Sequence, residues 1–134
     1  MAENKLKHLE FIQNVITRMN GNSFLIKGWT ITLASALFAL AAKDANLNFI
    51  LISYFGIIIF WILDGFYLSQ ERQYRELYGE VANKAENLID FNMDASAFNK
   101  GNQTWINGIL SKTIGLFYGI LIILTLIVIC ILKM

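Results

Sequence analysis

The most apolar part of the chain, residues 114–132, contains no charged side chain. Only Gly115, Gly119 and Thr125 interrupt its run of hydrophobic residues. About 20 apolar residues in an α-helix cover the roughly 30 Å hydrocarbon core of a bilayer. An amphipathic helix of a soluble protein would keep a polar face, and this segment has none. It therefore predicts a transmembrane helix over residues 114–132.

Two further apolar segments cover residues 24–42 and 47–68. Only 16% of the chain is charged, whereas soluble domains have about 25%. The polar connection between the two segments, residues 43–46, is short enough to predict an antiparallel hairpin. Residues 39–41 resemble a signal-peptide cleavage site, but a long charged stretch precedes the apolar block, so we expect a retained anchor. We expect an all-α integral membrane protein with three transmembrane helices in a single domain, residues 1–134.

The N-terminal residues 1–22 have the pattern of an amphipathic helix that lies on the membrane or packs on a partner. Residues 20–22 (Asn-Gly-Asn) predict a break after it, and Ser23 is a candidate cap of the first span. The apolar stripe recurs at spacings of three and four and comprises Leu6, Leu9, Ile12, Ile16 and Met19.

After the second span, residues 69–104 predict a polar extension that begins as a helix projecting into water. Acidic and basic side chains alternate at helical i,i+4 spacing at its start. Residues 90–104 are rich in turn-forming side chains and predict a loop. The apolar stripe of the helical part consists of Tyr74, Leu77, Val81, Ala85 and Leu88.

The distribution of basic residues predicts the orientation. Nine of the eleven lysines and arginines lie in the N-terminal segment or in residues 69–113, and Lys43 and Lys133 lie on the other side. Cytoplasmic loops carry the excess of basic residues. We expect a protein of the bacterial inner membrane with a cytoplasmic N-terminus, a cytoplasmic extension and a periplasmic C-terminus.

No combination of residues typical of a catalytic or metal site is visible. The one histidine, His8, lies in the amphipathic segment and is expected to be solvated or interfacial. Cys130 is the one cysteine, so a Cys/His ligand set and an internal disulfide are excluded. We expect neither an enzyme acting alone nor a bound cofactor.

Asp64 is the residue that bears most directly on function, because a carboxylate within a membrane span costs about 3 kcal/mol at its centre. Three interpretations are open. It can lie at the cytoplasmic edge, it can pair with Lys27 of the first span, or it can form a ring of carboxylates at an ion pathway or gate in an oligomer.

The third span begins with a stripe of small residues, Ser111, Gly115 and Gly119. Small residues four apart allow close approach of helices, either within one protomer or between copies of the chain. On a neighbouring face Tyr118 and Thr125 lie seven apart and could turn hydroxyls toward a pore. The alternative for the threonine is a hydrogen bond to its own helix backbone.

The polar extension contains a candidate ligand-binding set. Arginines bind phosphates with two hydrogen bonds and tyrosines stack on bases, which favours an oligonucleotide. Four glutamates on the same segment favour instead a helix whose charges pair among themselves. The candidate ligand-binding residues are Arg72, Tyr74, Arg75, Tyr78 and Lys84.

The stretches KHLEFIQNVITRMNGNSFLIKGWTITLASALFALAA (7–42) and IFWILDGFYLSQERQYRELY (59–78) resemble a family of small bacterial membrane proteins, the membrane effectors of Hailong-type antiphage defence systems. The resemblance covers about the first 80 residues and implies a homo-oligomeric, tetrameric, potassium-conducting channel. It also implies a partner nucleotidyltransferase whose single-stranded DNA product holds the channel shut until infection. The chain has no TVGYG-like filter, so selectivity needs another construction.

Together with this resemblance, which implies the ligand gating, these observations predict an oligomeric effector in the lipid bilayer that acts as a ligand-gated ion channel. The alternative is a membrane scaffold or anchor subunit that recruits a cytoplasmic partner through residues 69–104 and has no pore. Conductance in liposomes distinguishes the two.

Overall fold

The computed structural model describes residues 3–134, and this part of the chain is helical with no strand. Four α-helices are present: α1 (Glu3–Asp44), α2 (Leu47–Ala82), the short α3 (Trp105–Ile109) and α4 (Lys112–Lys133). Helices α1 and α2 form a long antiparallel pair, and α4 packs mainly on α2. Three short 3₁₀ helices lie between α2 and α3.

Three of these helices, α1, α2 and α4, are long and apolar enough to cross a membrane, which confirms the three predicted spans. Between 17% and 28% of their most apolar stretches is buried within the protomer. The rest is a hydrophobic surface that water would not solvate favourably and that a bilayer covers.

The turn between α1 and α2 is tight, as the short connection predicts. Ala45 adopts the left-handed conformation with φ 51°, and Asn46 caps α2 by accepting the backbone N–H of Asn48 at 3.0 Å. The Asn46 N–H donates back to the carbonyl of Ala41 at 3.2 Å. These bonds satisfy backbone groups that helix ends leave free.

The predicted break at residues 20–22 is wrong, because α1 continues through it as one helix of 42 residues. At about 1.5 Å per residue this helix is about 63 Å long, roughly twice the thickness of the hydrocarbon core. Ser23 consequently does not cap a helix. The separate amphipathic helix is instead the first half of α1.

The second half of α2 packs against the first half of α1 instead of projecting alone into water. Their contact contains Ile12, Ile16, Leu77 and Val81, all buried, together with Ala95 from the following loop. We call this part of the molecule, residues 3–22 and 69–104, the polar layer. The predicted stripe of α2 is correct through Val81 only.

Helix α2 ends at Ala82, so the stripe does not extend to Ala85 and Leu88. Leu88 is 62% exposed. The Glu86 side chain instead turns to the start of α1, where it accepts the backbone N–H groups of Asn4 at 2.9 Å and Lys5 at 3.1 Å. A carboxylate there satisfies free helix donors and complements the positive end of the helix dipole.

The loop after α2 is ordered by short side-chain-to-backbone hydrogen bonds. Asp90 accepts the backbone N–H of Asn92 at 3.1 Å, and Asp94 accepts that of Ser96 at 2.9 Å. The N–H of Asn92 and the nearby Lys84 ammonium lower the pKa of Asp90 below its ordinary value. Such turns fix a polar loop without regular secondary structure.

Candidate functional site: an ion pair shared by three spans

Four polar side chains meet between the spans, and each of the three long helices contributes at least one of them. Ser23 and Lys27 lie one turn apart on α1, Asp64 lies on α2, and Tyr118 lies on α4. Asp64 and Tyr118 are both fully buried, with relative exposures of 0%. We call these four residues the intramembrane polar cluster.

The Asp64 carboxylate is the centre of this cluster. Its Oδ2 lies 2.6 Å from the Lys27 ammonium and accepts the Tyr118 hydroxyl at 3.0 Å. Its Oδ1 accepts the Ser23 hydroxyl, while Lys27 donates a second hydrogen bond to Ser23 Oγ at 2.8 Å. Of the three interpretations of Asp64, the geometry therefore agrees with the Lys27 pair.

The pairing offsets the cost of burying a carboxylate between the spans. Removing a carboxylate from water costs several kcal/mol, and an ion pair with additional hydrogen bonds offsets this cost. The Lys27 side chain turns toward Asp64 and is 21% exposed. Loss of one partner would leave the other charge buried and unpaired, which typically costs about 3–5 kcal/mol.

Two aromatic side chains hold Tyr118 and Lys27 in place. The indole of Trp61 stacks on Tyr118 with ring centroids 6.0 Å apart and planes 7° from parallel. The Lys27 ammonium lies 5.8 Å from the centroid of Phe117, within range of a cation–π interaction. Ring faces thus lie against two of the four members of the cluster.

Helix α3 is fastened beside the cluster by a close backbone contact that the sequence did not predict. A Cβ at Gly108 would lie 2.2 Å from the carbonyl oxygen of Gly65, and a Cβ at Gly65 would lie 2.5 Å from the Ile109 side chain. Trp61 Nε1 donates to the Ile109 carbonyl at 2.9 Å, and Trp105 Nε1 donates to that of Ile62 at 2.9 Å. The sequence feature that could have indicated this contact is a glycine shortly after a tryptophan in each segment, Trp61 and Gly65 in α2 and Trp105 and Gly108 in α3.

The candidate pore residues Tyr118 and Thr125 both face the interior of the protomer. Thr125 is fully buried, and its hydroxyl donates to the backbone carbonyl of Leu121 at 2.8 Å, the alternative considered for it. The hydroxyl of Tyr118 is engaged by Asp64. Neither hydroxyl therefore lines an open channel within one protomer.

The three small residues at the start of α4 have different roles: one caps the helix and two leave its surface open. Ser111 caps α4 by accepting the backbone N–H of Ile114 at 3.3 Å. A Cβ at Gly119 would have no atom within 4 Å, and one at Gly115 would approach only the backbone of Leu110, at 3.9 Å. Packing within the protomer therefore does not explain the two glycines.

The cations of the candidate ligand-binding set all have partners within the chain. Arg72 donates to the Asn102 carbonyl at 2.8 Å, Arg75 pairs with Glu71 at 2.8 Å, and Lys84 lies 3.6 Å from Asp90.

The tyrosines of the same set are partly buried against the core of the polar layer. The Tyr74 hydroxyl donates to the Met93 carbonyl at 2.9 Å, and Tyr78 packs on the same core. The set is therefore arranged to hold the polar layer together, and the side chain of Arg75, 60% exposed, is its most accessible cation.

His8 is buried, so the expectation of a solvated or interfacial side chain is wrong. Its Nε2 lies 2.9 Å from the Asn92 carbonyl, its Nδ1 has no hydrogen-bond partner, and its ring packs on Phe91. Within residues 3–134, no group of three His, Cys, Asp or Glu side chains is placed to hold a metal ion. His8 fastens the loop to α1.

Comparison of the chain with protein-family models, curated proteins and solved structures found no match. The functional inference therefore depends on the geometry of the chain's own residues and on the family resemblance of the sequence.

Proposed function

We propose that this protein is an oligomeric effector of the bacterial inner membrane that acts in antiphage defence as a ligand-gated ion channel. Its N-terminus and polar layer lie in the cytoplasm and its C-terminus in the periplasm. The observation that carries the channel is the Lys27–Asp64 pair within the spans, and the role in antiphage defence follows the family resemblance. Ionisable residues inside a membrane are costly and mark ion pathways, sensors and gates by default.

The pair suits a gate because its partners belong to different helices. Lys27 is on α1, Asp64 on α2 and its hydroxyl donor Tyr118 on α4. A shift of any one helix breaks a charge-assisted hydrogen bond to Asp64, and a shift of α1 from α2 also leaves two charges that need water. Lys27 and Asp64 thus have two arrangements: paired without water, or separated and hydrated. Gating requires a two-state element of this kind.

Helix continuity supports control from the cytoplasmic side. Both α1 and α2 run without interruption from the polar layer into the spans. A ligand that repositions their ends in the polar layer therefore moves the backbone that carries Lys27 and Asp64. A flexible joint between the two parts would have absorbed that movement.

In this proposal the pore forms between copies of the chain. A single protomer does not provide it, because the hydroxyls of Tyr118 and Thr125 are hydrogen-bonded within the protomer. The open face at Gly115 and Gly119 lets a helix of another copy approach closely. The apolar stretches of the spans are mostly unburied in one protomer, which leaves area for several neighbours. We propose a tetramer, following the family resemblance.

The ligand in this proposal is single-stranded DNA made by a partner nucleotidyltransferase, and it keeps the channel closed. Arg75 is exposed, and Arg72 lies one turn before it on the same helix. Phosphates would compete with Glu71 and with the Asn102 carbonyl for these guanidinium groups. Binding would therefore rearrange the contacts that join α2 to the loop, which links ligand binding to helix position.

The channel is tested by potassium flux from liposomes that contain the purified oligomer without ligand. The parent protein should release potassium. Asp64→Asn should change the flux by about tenfold if the pair contributes about 1.4 kcal/mol to the closed–open equilibrium. Asp44→Asn, the same change at an exposed aspartate at the end of α1, is the matched control and should behave like the parent. A parent oligomer that passes no ions would contradict the channel.

The ligand is tested separately by titrating a labelled single-stranded oligonucleotide at low and moderate salt. Binding should weaken steeply with salt, with a slope set by the number of phosphates contacted. Arg72→Glu/Arg75→Glu should abolish binding, and Lys7→Glu/Lys100→Glu, with the same change in net charge, should not. Equal binding by both variants would remove this helix as the site, and no binding by the parent at low salt would remove the oligonucleotide.

A second function, a membrane scaffold without a pore, is favoured by one observation. The polar layer exposes several large apolar side chains, among them Leu6 at 64%, Phe11 at 41% and Leu88 at 62%. Exposed apolar groups outside the spans are typical of a surface that binds another protein. Absence of ion flux together with stable capture of a cytoplasmic partner would favour this function over the channel.

A further inference from the structure

A groove of about 730 Å³ lies between α1 and α4 on the outside of the three spans. Its walls are both charged and apolar. The six residues that line it are Lys27, Lys112, Thr113, Leu116, Phe117 and Ile120. We propose that this groove binds one anionic glycerophospholipid, with the phosphate near the lysines and an acyl chain along α4.

Charge complementarity identifies the phosphate end. The Lys27 charge is balanced by Asp64 at 2.6 Å, whereas none of the carboxylates in residues 3–134 lies within ion-pair distance of Lys112. Lys112 is also the first residue of α4, where the helix dipole adds positive potential. The groove therefore has an excess of positive charge at one end, which a single phosphodiester balances.

The apolar end has the direction and position of an acyl chain. Leu116 and Ile120 lie one turn apart on α4, and both are exposed, by 67% and 48%. They continue from Thr113 into the most apolar part of the helix, so the groove runs from the polar end of a span toward the bilayer centre. The Lys27 ammonium lies 5.8 Å from the centroid of the Phe117 ring, at the polar side of this path.

A lipid fits this combination better than a soluble anion does. A free phosphate would use only Lys112 and Thr113 and would leave the apolar wall uncovered. Basic pockets between transmembrane helices are known sites for anionic lipid headgroups. A bound lipid would also contact both α1 and α4, the two helices that each donate hydrogen bonds to Asp64 of α2.

The test measures retained lipid on the full-length protein. The protein is reconstituted in nanodiscs of phosphatidylcholine with a minor fraction of phosphatidylglycerol, released gently, and analysed by native mass spectrometry. Phosphatidylglycerol should be retained in preference to phosphatidylcholine. Lys112→Gln should lower its retention about fivefold, the effect of one interfacial lysine. Lys133→Gln, at the other end of the same helix, should retain as much as the parent.

Several results would overturn the proposal. These are equal retention of the two lipids by the parent, unchanged retention by Lys112→Gln, and an equal loss in Lys133→Gln. Inorganic phosphate should not displace the lipid, and full displacement would indicate a soluble-anion site. Disulfide crosslinking between copies through Thr113→Cys or Ile120→Cys, with no lipid retained, would assign the groove to a second copy of the chain. Retention does not depend on ion flux, so this test and the channel test can fail independently.

Discussion

At the residue scale, Asp64 determines how the three spans are arranged relative to one another. Each of its hydrogen-bond partners fixes a neighbour: Lys27 and Ser23 locate α1, and Tyr118 locates α4. Hydrophobic contacts alone let apolar helices shift along one another, and in a bilayer lipid chains compete for the same contacts. A directional ion pair does not allow such sliding.

The pair gives a prediction for stability. Lys27→Met should destabilise the protein by about 3–5 kcal/mol, because the Asp64 charge stays buried without its partner. Lys27→Met/Asp64→Asn should recover most of that loss, since no buried charge remains. Thermal unfolding in detergent measures both. Effects that add without recovery would mean that the two residues do not interact.

The contact between Gly65 and Gly108 gives a second prediction. Gly108→Ala should destabilise the protein by about 1–3 kcal/mol, the cost of overpacking, because its Cβ would lie 2.2 Å from the Gly65 carbonyl oxygen. Gly79→Ala is the control, since its Cβ has open space and alanine favours a helix by about 1 kcal/mol. If Gly108→Ala is as stable as the parent, α3 does not depend on this contact.

At the residue level, sequence predicted part of the site. Asp64 and its possible pairing with Lys27 could be predicted because a charge in an apolar run is visible locally and its counter-charge lay at the same membrane edge. The roles of Ser23 and Tyr118 could not, since each depends on which helix face meets the next helix. Gly108 was missed for the same reason: its partner is 43 residues away in sequence.

At the element scale, the spans were predictable and the helix break was not. Hydrophobic length is a local property, and it located α1, α2 and α4 to within a few residues apart from their polar extensions. Asn and Gly at residues 20–22 weaken a helix by about 2–3 kcal/mol in total. Ile12 and Ile16 are buried before residues 20–22, and Ala34 is buried after them. Packing at both ends of this segment keeps the helix continuous.

Gly21 tests this continuity. A Cβ at Gly21 has no atom within 4 Å, so Gly21→Ala should stabilise the protein by up to about 1 kcal/mol. Gly21→Pro should cost about 3 kcal/mol or more and kink α1. If α1 transmits ligand binding, the proline variant should also separate oligonucleotide binding from ion flux. A proline variant with parental stability would show that the helix is already interrupted there.

At the scale of the whole molecule, the apolar spans and the polar layer occupy opposite ends of the same two long helices, α1 and α2. The polar layer has its own core, but it shares α1 and α2 with the spans. The sequence predicted this division from composition. It did not predict that residues 3–22 and 69–104 pack on each other, because their contacts lie more than 60 residues apart.

The orientation of the molecule gives a prediction based on nine basic residues on one side and two on the other. Reporter fusions after Met134 should be active in the periplasm, and fusions inserted within residues 90–104 should be active in the cytoplasm. The opposite result at both sites would remove every proposal that involves a cytoplasmic ligand.

The length of α1 has a mechanical consequence. Lys27 lies 24 residues from Glu3, so the arm between the polar cluster and the helix start is about 36 Å long. With Lys27 as the pivot, a tilt of about 5° displaces that end by about 3 Å, the length of one hydrogen bond. The exchange of a single hydrogen bond near Glu3 is thus geometrically equivalent to a rotation of α1 by about 5° about Lys27. Such a rotation requires no unwinding of the helix between the two residues.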